Sequence, residues 1–343
     1  MGLLAIGRYC RIGLAAAVLA SLAFGTAEAE VPIRFVLGFK FDGPSAPFLV
    51  AIDKGYYKAE GLDVTIDPGA GAAEPISRIA AGNYDMGFGD INSLIKFRDR
   101  NAANAPTPIF IVFNRPPYSI VARKSRGITQ PRDLEGKRLG APAADPSFAQ
   151  WKIFTAANNI DPAKVTIENV GMPVREPMLA AGQVDAITGP SFSSFLDLKD
   201  RGVPVDDLVL MLMADHGVDL YGSAIMVNPK FAAEKPEAVK AFLRAFVKGL
   251  RDTVRNPASA IDSVLKRSDS ASRQVEVERL KMALRDNIVT PEVKENGVGG
   301  VDAERLARAI DQIALTYQFK TKPKPSDVFD FSFLPAESER RVK

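Results

Sequence analysis

The chain holds few of the side chains that carry out covalent chemistry. His216 is its only histidine and Cys10 its only cysteine. A nucleophile needs a base, usually histidine, within hydrogen-bond reach, whereas His216 follows Asp215 in a predicted loop. One histidine and one cysteine also argue against a histidine-rich metal centre and a zinc thiolate site. The sequence therefore predicts no catalytic residues, no metal and no cofactor.

A loop of small residues, Gly69-Ala70-Gly71-Ala72, precedes a predicted helix. It lacks the G-x-G-x-x-G spacing and the lysine of nucleotide-binding loops, so a nucleotide site is not predicted. The amide N–H groups at the start of a helix nevertheless favour a partial negative charge. We expect Gly69, Gly71 and Ala72 to contact a ligand; the alternative is close packing against a neighbouring strand.

The other candidate binding residues follow predicted strands, because open α/β sheets bind ligands outside the carboxyl ends of their strands. Five of them are aromatic residues whose rings could stack on a planar or partly apolar ligand: Phe41, Tyr118, Phe148, Phe192 and Tyr221. The alternative for each ring is packing in the core. The complete predicted set is Phe39, Lys40, Phe41, Gly69, Gly71, Ala72, Asp90, Asn92, Arg115, Tyr118, Asp145, Phe148, Ser191, Phe192, Asp219 and Tyr221.

The charged candidates suit two kinds of ligand. An anionic sulfonate or carboxylate would use Lys40, Arg115 or Arg175 together with helix N-termini. A heteroaromatic amine would use the three aspartates of the set and the aromatic rings. Basic and acidic candidates are nearly equal in number, and the rings favour a pyrimidine-like or other nitrogenous ligand.

Alternating strands and helices position these residues. Residues 31–39, 62–66 and 84–88 read as strands, and helices begin between them with Ser45 as an N-cap and at Glu74. This spacing predicts right-handed βαβ units and a mainly parallel sheet. The alternation repeats as far as Val227, and helices follow from there.

The first 29 residues have the pattern of a secretory signal peptide. Arg8 and Arg11 precede an apolar run over 12–24, and Ala27-Glu28-Ala29 is a small-x-small cleavage pattern. Cleavage after Ala29 would also remove Cys10, leaving a chain without thiols. We therefore expect a periplasmic protein.

Composition bounds the partners. The 343 residues carry a formal charge of +3, with 46% hydrophobic and 25% charged residues, values typical of a globular protein. The charges are mixed along the chain, so a nucleic-acid partner is not predicted. The length suggests two domains at roughly 100–200 residues each.

Four segments resemble a known family. They are residues 46–64, with Lys54-Gly55-Tyr56-Tyr57 and Glu60-Gly61-Leu62-Asp63-Val64, then Gly82-Asn83-Tyr84-Asp85-Met86-Gly87-Phe88, Asp133-Leu134-Glu135-Gly136-Lys137 and Ala180-Ala181-Gly182-Gln183-Val184-Asp185-Ala186. Together they are similar to the periplasmic binding proteins for sulfonates, nitrate and thiamine-pyrimidine precursors, a family related to the yeast pyrimidine-precursor synthase.

The resemblance implies a type II periplasmic binding protein, an α/β fold whose two lobes close on a ligand by hinge motion. Pattern and resemblance together place one lobe at 30–117 and 224–343 and the other at 118–223. An ABC permease in the inner membrane would receive the loaded protein, which we expect to be monomeric.

Two other functions stay open. The related eukaryotic synthases use histidines and a cysteine-rich segment with iron; this chain has neither, which disfavours an enzyme. A sensor partner of a membrane receptor is the other possibility, and an adjacent receptor kinase gene in place of permease and ATPase genes would indicate it.

Overall fold

The computed structural model describes residues 29–342. The predicted signal peptide lies outside these residues except for Ala29. Over the described range, no helix is both long and apolar enough to cross a membrane. The strands are β1 Val31–Val36, β2 Leu62–Asp67, β3 Met86–Asp90, β4 Thr107–Ile111, β5 Tyr118–Arg123, β6 Arg138–Gly140, β7 Thr166–Glu168, β8 Ala186–Pro190, β9 Leu208–Leu212 and β10 Ser223–Val227.

Fifteen α-helices join and cover the strands of this range. They are α1 Ala46–Asp53, α2 Tyr56–Ala59, α3 Glu74–Ala80, α4 Ile91–Arg100, α5 Trp151–Ala157, α6 Arg175–Ala180, α7 Ser191–Asp200, α8 Pro229–Glu234, α9 Pro236–Arg255, α10 Pro257–Leu265, α11 Arg273–Ala283, α12 Pro291–Asn296, α13 Ala303–Ala314, α14 Pro325–Val328 and α15 Glu337–Arg340. A π-helical turn, Leu284–Ile288, continues α11.

The strands form two five-stranded sheets. The first has the order β2-β1-β3-β10-β4 and the second β7-β6-β8-β5-β9. Four strands of each sheet are mutually parallel, and the fifth, β10 or β5, runs antiparallel to its neighbours. The prediction of mainly parallel sheets is thus confirmed. In each sheet the exception is a strand that the chain enters directly from the other sheet.

Alternation along the strands puts helices on both faces of each sheet. Ile33 and Phe35 of β1 face the large core formed with α1 and α9, whereas Val36 faces a smaller core with α3. In β5, Ile120 and Val121 likewise belong to two different cores. The inner strands β3, β5, β8 and β10 are therefore buried along almost their whole length, whereas the edge strands β2 and β7 carry exposed polar residues.

The two sheets repeat one local clamp. The backbone N–H of Arg34 in β1 donates to Asp85 Oδ2 at 2.8 Å, and that of Arg138 in β6 donates to Asp185 Oδ2 at 3.0 Å. Each guanidinium also donates to a turn glycine carbonyl at 3.2 Å. The two halves therefore share one βαβ plan, with corresponding strand ends on corresponding loops.

The chain passes twice between the sheets, over residues 112–117 and 213–222, here called the crossing segments. Arg115 of the first forms an ion pair with Asp215 of the second. The predicted lobe bounds of 117/118 and 223/224 stay a prediction, and β5 and β10 begin at Tyr118 and Ser223.

Local differences from the predictions concern segment ends. Ser45 occupies the predicted N-cap position of α1, but its side chain makes no capping hydrogen bond; its hydroxyl donates instead to Asp42 O at 2.6 Å, within a 3-10 turn over Gly43–Ser45. The third strand begins two residues later than predicted, at Met86, because Asp85 clamps Arg34. In the family motif over 46–64, Gly55 and Gly61 have φ values of +70° and +75°, which glycine adopts without strain. Glu60 of the same motif pairs with Arg244 of α9 at 2.7 Å and so holds the motif against that helix.

Candidate functional site

Three predicted residues meet where the two sheets come together. Tyr118, the first residue of β5, donates a hydrogen bond from its hydroxyl to the carboxylate of Asp90, the last residue of β3. Asn92 Nδ2 donates to Tyr118 Oη at 2.9 Å and to the Tyr221 carbonyl at 2.7 Å. Asp90 also caps α4, accepting from the Ser93 N–H at 2.6 Å. These side chains are at most 3% exposed, so the contact excludes water.

Burial and the nearby carboxylates control the protonation of Tyr118. Desolvation, followed by the charge of Asp90 and a weaker effect of Asp145, raises the pKa of its hydroxyl well above the usual value. The phenol therefore stays a hydrogen-bond donor. Burial lowers the pKa of Lys96, which lies one turn after Asn92 in α4, and the negative charge of Asp90 opposes this shift. The site thus gathers acidic groups around one neutral donor.

Asp145 contributes a second buried carboxylate, from the loop after β6. It is 1% exposed; Oδ2 accepts from Thr188 Oγ1 at 2.6 Å and Oδ1 from the Ser147 N–H at 3.0 Å. Arg175 Nη1 lies 3.6 Å from Asp145 Oδ2, and the same guanidinium bonds Glu176 Oε1 at 2.6 and 2.8 Å. Two carboxylates therefore share one buried cation.

The absence of a side chain at Gly189 makes room for this arginine. A Cβ there would lie 2.9 Å from Arg175 Cζ and 2.3 Å from Ser194 Oγ. Ser194 in turn donates to Glu176 Oε1 at 2.7 Å. Because its guanidinium is held by protein carboxylates, Arg175 is not presented as an anion-binding group.

Three buried polar atoms around this region have no hydrogen-bond partner within the described residues: Asn92 Oδ1, Ser191 Oγ and Gln150 Oε1. Ser191 begins α7 beside Tyr118, since its N–H donates to Pro117 O at 2.8 Å. Gln150 closes the 3-10 turn that follows the Asp145 loop. Buried polar atoms of a native protein are almost always paired. We therefore define Asp90, Asn92, Tyr118, Asp145 and Ser191 as the interlobe site.

The small-residue loop mainly packs against strand ends. A Cβ on Gly69 would lie 2.1 Å from Leu37 O, and Ala72 O accepts the N–H of Asp90 at 2.8 Å. The Ala70 N–H donates to Glu74 Oε2 at 2.5 Å, so a protein carboxylate takes that amide. Gly71 faces open space. Close packing, the alternative considered for this loop, accounts for Gly69 and Ala72.

Arg115, Asp219 and Tyr221 lie in the crossing segments. Arg115 pairs with Asp215, and Asp219 Oδ1 accepts from Arg305 Nε at 2.9 Å. The Tyr221 hydroxyl donates to Glu292 Oε1 at 2.9 Å. The polar groups of these three residues are thus engaged within the protein, and only the Tyr221 carbonyl contacts the interlobe site.

The predicted aromatic residues do not stack on one another. In the described part of the chain, Phe192 makes its ring contact with Phe113 at 6.1 Å, and the ring of Tyr221 lies 4.0 Å beneath the Arg305 guanidinium. Phe41 and Phe148 are half-buried against the two main cores. Phe39 is half-buried as well, and Lys40 is exposed. The rings are therefore mostly part of the cores.

The sequence did not single out Gln150, Thr188 or Glu176 for the site. The sequence pattern predicts a regular helix over 147–157, which includes Gln150, and it ends the strand before Ser191 at Ile187, one residue before Thr188. Their position follows from the turn after β6 and from the β8 register, which bring Thr188 Oγ1 to Asp145. The signal that could have found Glu176 is its adjacency to Arg175 at a helix start. The described residues hold no cluster of three metal-ligating side chains.

The sequence is similar to those of several known proteins. The riboflavin-binding protein RibY of Chloroflexus aurantiacus is 27% identical over 225 residues, 63% of this chain and 61% of that protein. The formylaminopyrimidine-binding protein of Halalkalibacterium halodurans is 27% identical over 76% of this chain and 78% of its own length. A 4-amino-5-hydroxymethyl-2-methylpyrimidine phosphate synthase of Schizosaccharomyces pombe is 24% identical over 66% of each chain. The chain thus spans about 61% of the first of these relatives.

The fold is that of periplasmic binding proteins. The aliphatic sulphonate binding protein SsuA of Escherichia coli superposes with a TM-score of 0.69 over 87% of this chain and 92% of that one, at 12% identity. This similarity confirms the predicted α/β fold of two lobes. The family described as NMT1/THI5 like matches residues 43–260. The chain therefore belongs to the NMT1/THI5-like family.

Proposed function

We propose that this protein is the solute-binding component of an ABC importer, carrying a small organic molecule to a permease in the inner membrane. The observation that carries the proposal is the group of buried polar atoms without a protein partner at the junction of the two lobes. A ligand bound there would supply their hydrogen bonds. A buried polar atom without a partner costs desolvation free energy, so a ligand that forms hydrogen bonds with these atoms would favour the closed protein.

The site favours a nitrogenous ligand over an anion. Asp90 and Asp145 bring two carboxylates, and Asn92 offers a carbonyl oxygen as acceptor. The one buried arginine nearby, Arg175, is held by Glu176 and lies beside Asp145. Such an acceptor-rich site pairs with N–H donors, as found on aminopyrimidines. A sulfonate or aromatic carboxylate, the alternative ligand, would instead face these carboxylates while Arg175 is already held by protein groups.

Location and partners follow from the same proposal. A signal peptide ending at Ala29 would export the chain to the periplasm, where a permease accepts the loaded, closed form. We propose that the protein acts as a monomer, with one ligand in each molecule.

A thermal-shift panel tests the proposal directly. Aminopyrimidines, riboflavin, alkanesulfonates, aromatic carboxylates and nitrate are each added to the purified protein. A ligand at about a hundred times its dissociation constant adds roughly 2.7 kcal/mol of stability. A rise in Tm with aminopyrimidines alone supports the acceptor-rich site. A rise only with sulfonates overturns the ligand preference and keeps the binding function, and no rise with any compound removes the support for both.

The synthase name of one relative motivates a second test. The chain has a single histidine and a single cysteine, which leaves few groups for the chemistry of such an enzyme. Incubation with ferrous iron and oxygen, followed by mass spectrometry of the protein and the solution, should detect no pyrimidine product. Formation of the product would replace the transport function with a synthase function.

A further inference from the structure

Arg305, the third residue of α13, occupies the space between the two crossing segments. It is 8% exposed. Nε donates to Asp219 Oδ1 at 2.9 Å, and Nη1 donates to Glu292 Oε2 at 2.7 Å. Its guanidinium also lies 4.0 Å from the centre of the Tyr221 ring. Hydrogen bonds, ion pairs and stacking thus hold the planar group in one orientation.

The same guanidinium bonds the backbone of both crossing segments. Nη2 donates to Asn114 O at 3.0 Å in the first segment and to Leu220 O at 2.8 Å in the second. Nη1 adds a bond to Asn114 Oδ1 at 3.2 Å. Any motion that changes the separation of the two segments must therefore break at least one of these bonds.

A neighbouring arginine shows what Arg305 adds. Arg308 lies one turn later in α13 and has a side chain that is 57% exposed. Its hydrogen bond within the described residues is to Asp219 Oδ2 at 3.4 Å. The two arginines therefore share Asp219 as an acidic partner, but only Arg305 contacts the backbone of the crossing segments.

The Arg305 contacts extend to the interlobe site. Leu220 and Tyr221 are adjacent in the chain, and the Tyr221 carbonyl accepts from Asn92 Nδ2 at 2.7 Å. Asn92 in turn donates to Tyr118 Oη, leaving Asn92 Oδ1 as the acceptor without a partner. The position of that acceptor is thus tied through Tyr221 to the second crossing segment and to Arg305.

We propose that Arg305 is a positioning residue that couples the separation of the crossing segments to the geometry of the interlobe site. It sets the equilibrium between open and closed lobes without touching the ligand. The residue lies in α13, outside the family match over 43–260, so this proposal gives a C-terminal helix a part in closure. The part of the inference that concerns ligand affinity rests on the proposed function; the part that concerns lobe motion does not.

The test uses Arg305→Lys, with Arg308→Lys as the matched control. Lysine keeps the positive charge near Asp219 and Glu292, but it lacks the fork that bonds both segments. Dyes are attached through Thr65→Cys and Ile167→Cys in a Cys10→Ser background. Thr65 and Ile167 lie in β2 and β7, the outermost strands at one edge of each sheet, and both are exposed. Single-molecule energy transfer then reports the distance between the lobes.

We expect Arg305→Lys to change the ratio of open to closed molecules by roughly fivefold or more, on the scale of a coupling of about 1 kcal/mol. Arg308→Lys should leave the distribution as in the wild type. Identical distributions for wild type and both variants, with circular dichroism unchanged, would overturn the inference. If Arg305→Lys does not fold, Glu292→Gln removes one charged partner of Arg305 and should shift the ratio in the same direction.

Binding measurements separate this inference from the proposed function. A ligand found in the thermal-shift panel should bind Arg305→Lys about fivefold or more weakly or more tightly, in the direction given by the lobe distribution. A shifted distribution with no ligand in the panel supports the hinge role and counts against the proposed function. Normal binding together with an unshifted distribution supports the proposed function and counts against the hinge role of Arg305.

Discussion

The hydroxyl of Tyr118 donates a hydrogen bond to the carboxylate of Asp90, and this bond joins the first strand of one lobe to the last residue of a strand in the other. Both residues are buried. The bond therefore links the stability of the lobe junction to the geometry of the candidate binding site.

Replacing Tyr118 with phenylalanine should weaken the junction. The change removes the hydroxyl donor of the buried Asp90 carboxylate and one acceptor of Asn92 Nδ2, so the free energy of unfolding should fall by about 1–3 kcal/mol. Urea denaturation followed by circular dichroism measures this loss. Tyr84→Phe is the matched control, because the Tyr84 hydroxyl donates to Asp67 at a half-buried position away from the junction. Equal losses in both variants would contradict a special role for Tyr118.

Replacing Asp145 with asparagine should discriminate between ligand classes. The change removes a buried negative charge and keeps the shape of the side chain. We expect at least about tenfold weaker binding of an aminopyrimidine, the scale of 1.4 kcal/mol, and no loss of binding for a sulfonate. Isothermal titration measures both affinities, with Asp63→Asn, an exposed change on β2, as the control. Unchanged aminopyrimidine affinity would remove Asp145 from the site.

Asp42 should make the protein less stable as the pH rises. Burial raises the pKa of this carboxyl from 3.8 to about 7, against the opposing effect of Arg279 and with a further increase from Glu276. Between about pH 4 and pH 7 the unfolded chain has lost a proton that folded Asp42 retains. The free energy of unfolding therefore falls across this window.

Asp42→Asn should remove that dependence. At pH 8 the variant should be more stable than the wild type by up to about 4 kcal/mol, and at pH 4 the two should be similar. Urea denaturation at pH 4, 6 and 8 follows the trend, with the exposed Asp206→Asn as control. A variant that is less stable than the wild type at pH 8 would show that the Asp42 carboxylate is stabilised by Arg279.

The two βαβ clamps should contribute similarly to stability. Asp85→Ala removes the acceptor of Arg34, and Asp185→Ala removes that of Arg138. Each loses hydrogen bonds to a charged group, so we expect each to cost about 1.5–3 kcal/mol in urea denaturation. A large loss for one and none for the other would show that the two halves differ in how their first strands are held.

A second substitution at Asp185 distinguishes the loss of its charge from the loss of its hydrogen bonds. Asp185→Asn keeps an acceptor for the Arg138 N–H. Burial raises the pKa of Asp185, but the hydrogen bonds and charge of Arg138 outweigh this effect, so the pKa lies below its usual value. The charge-dependent part of its contribution is therefore present above the ordinary pKa of 3.8 and is lost as the pH falls below it. Wild type and Asp185→Asn should thus converge in stability at low pH.

The sequence by itself determined the α/β class, the alternation of strands and helices and the family. These features are local, because apolar periodicity and turn glycines such as Gly55 and Gly61 act over a few residues. The strand-end rule also selected Asp90, Asn92, Asp145 and Ser191, since the carboxyl ends of parallel strands share one edge of a sheet, and the predicted crossing between the lobes selected Tyr118.

Only the tertiary structure decided which of the remaining candidates serve that site. Asp219 and Tyr221 follow a strand in sequence as Asp145 does, but Arg305, 86 residues beyond Asp219, engages both of their side chains. Gln150 gained its place through a 3-10 turn. The choice between binding a ligand and holding the fold depends on contacts between distant segments, and sequence spacing carries no record of which buried group finds a protein partner.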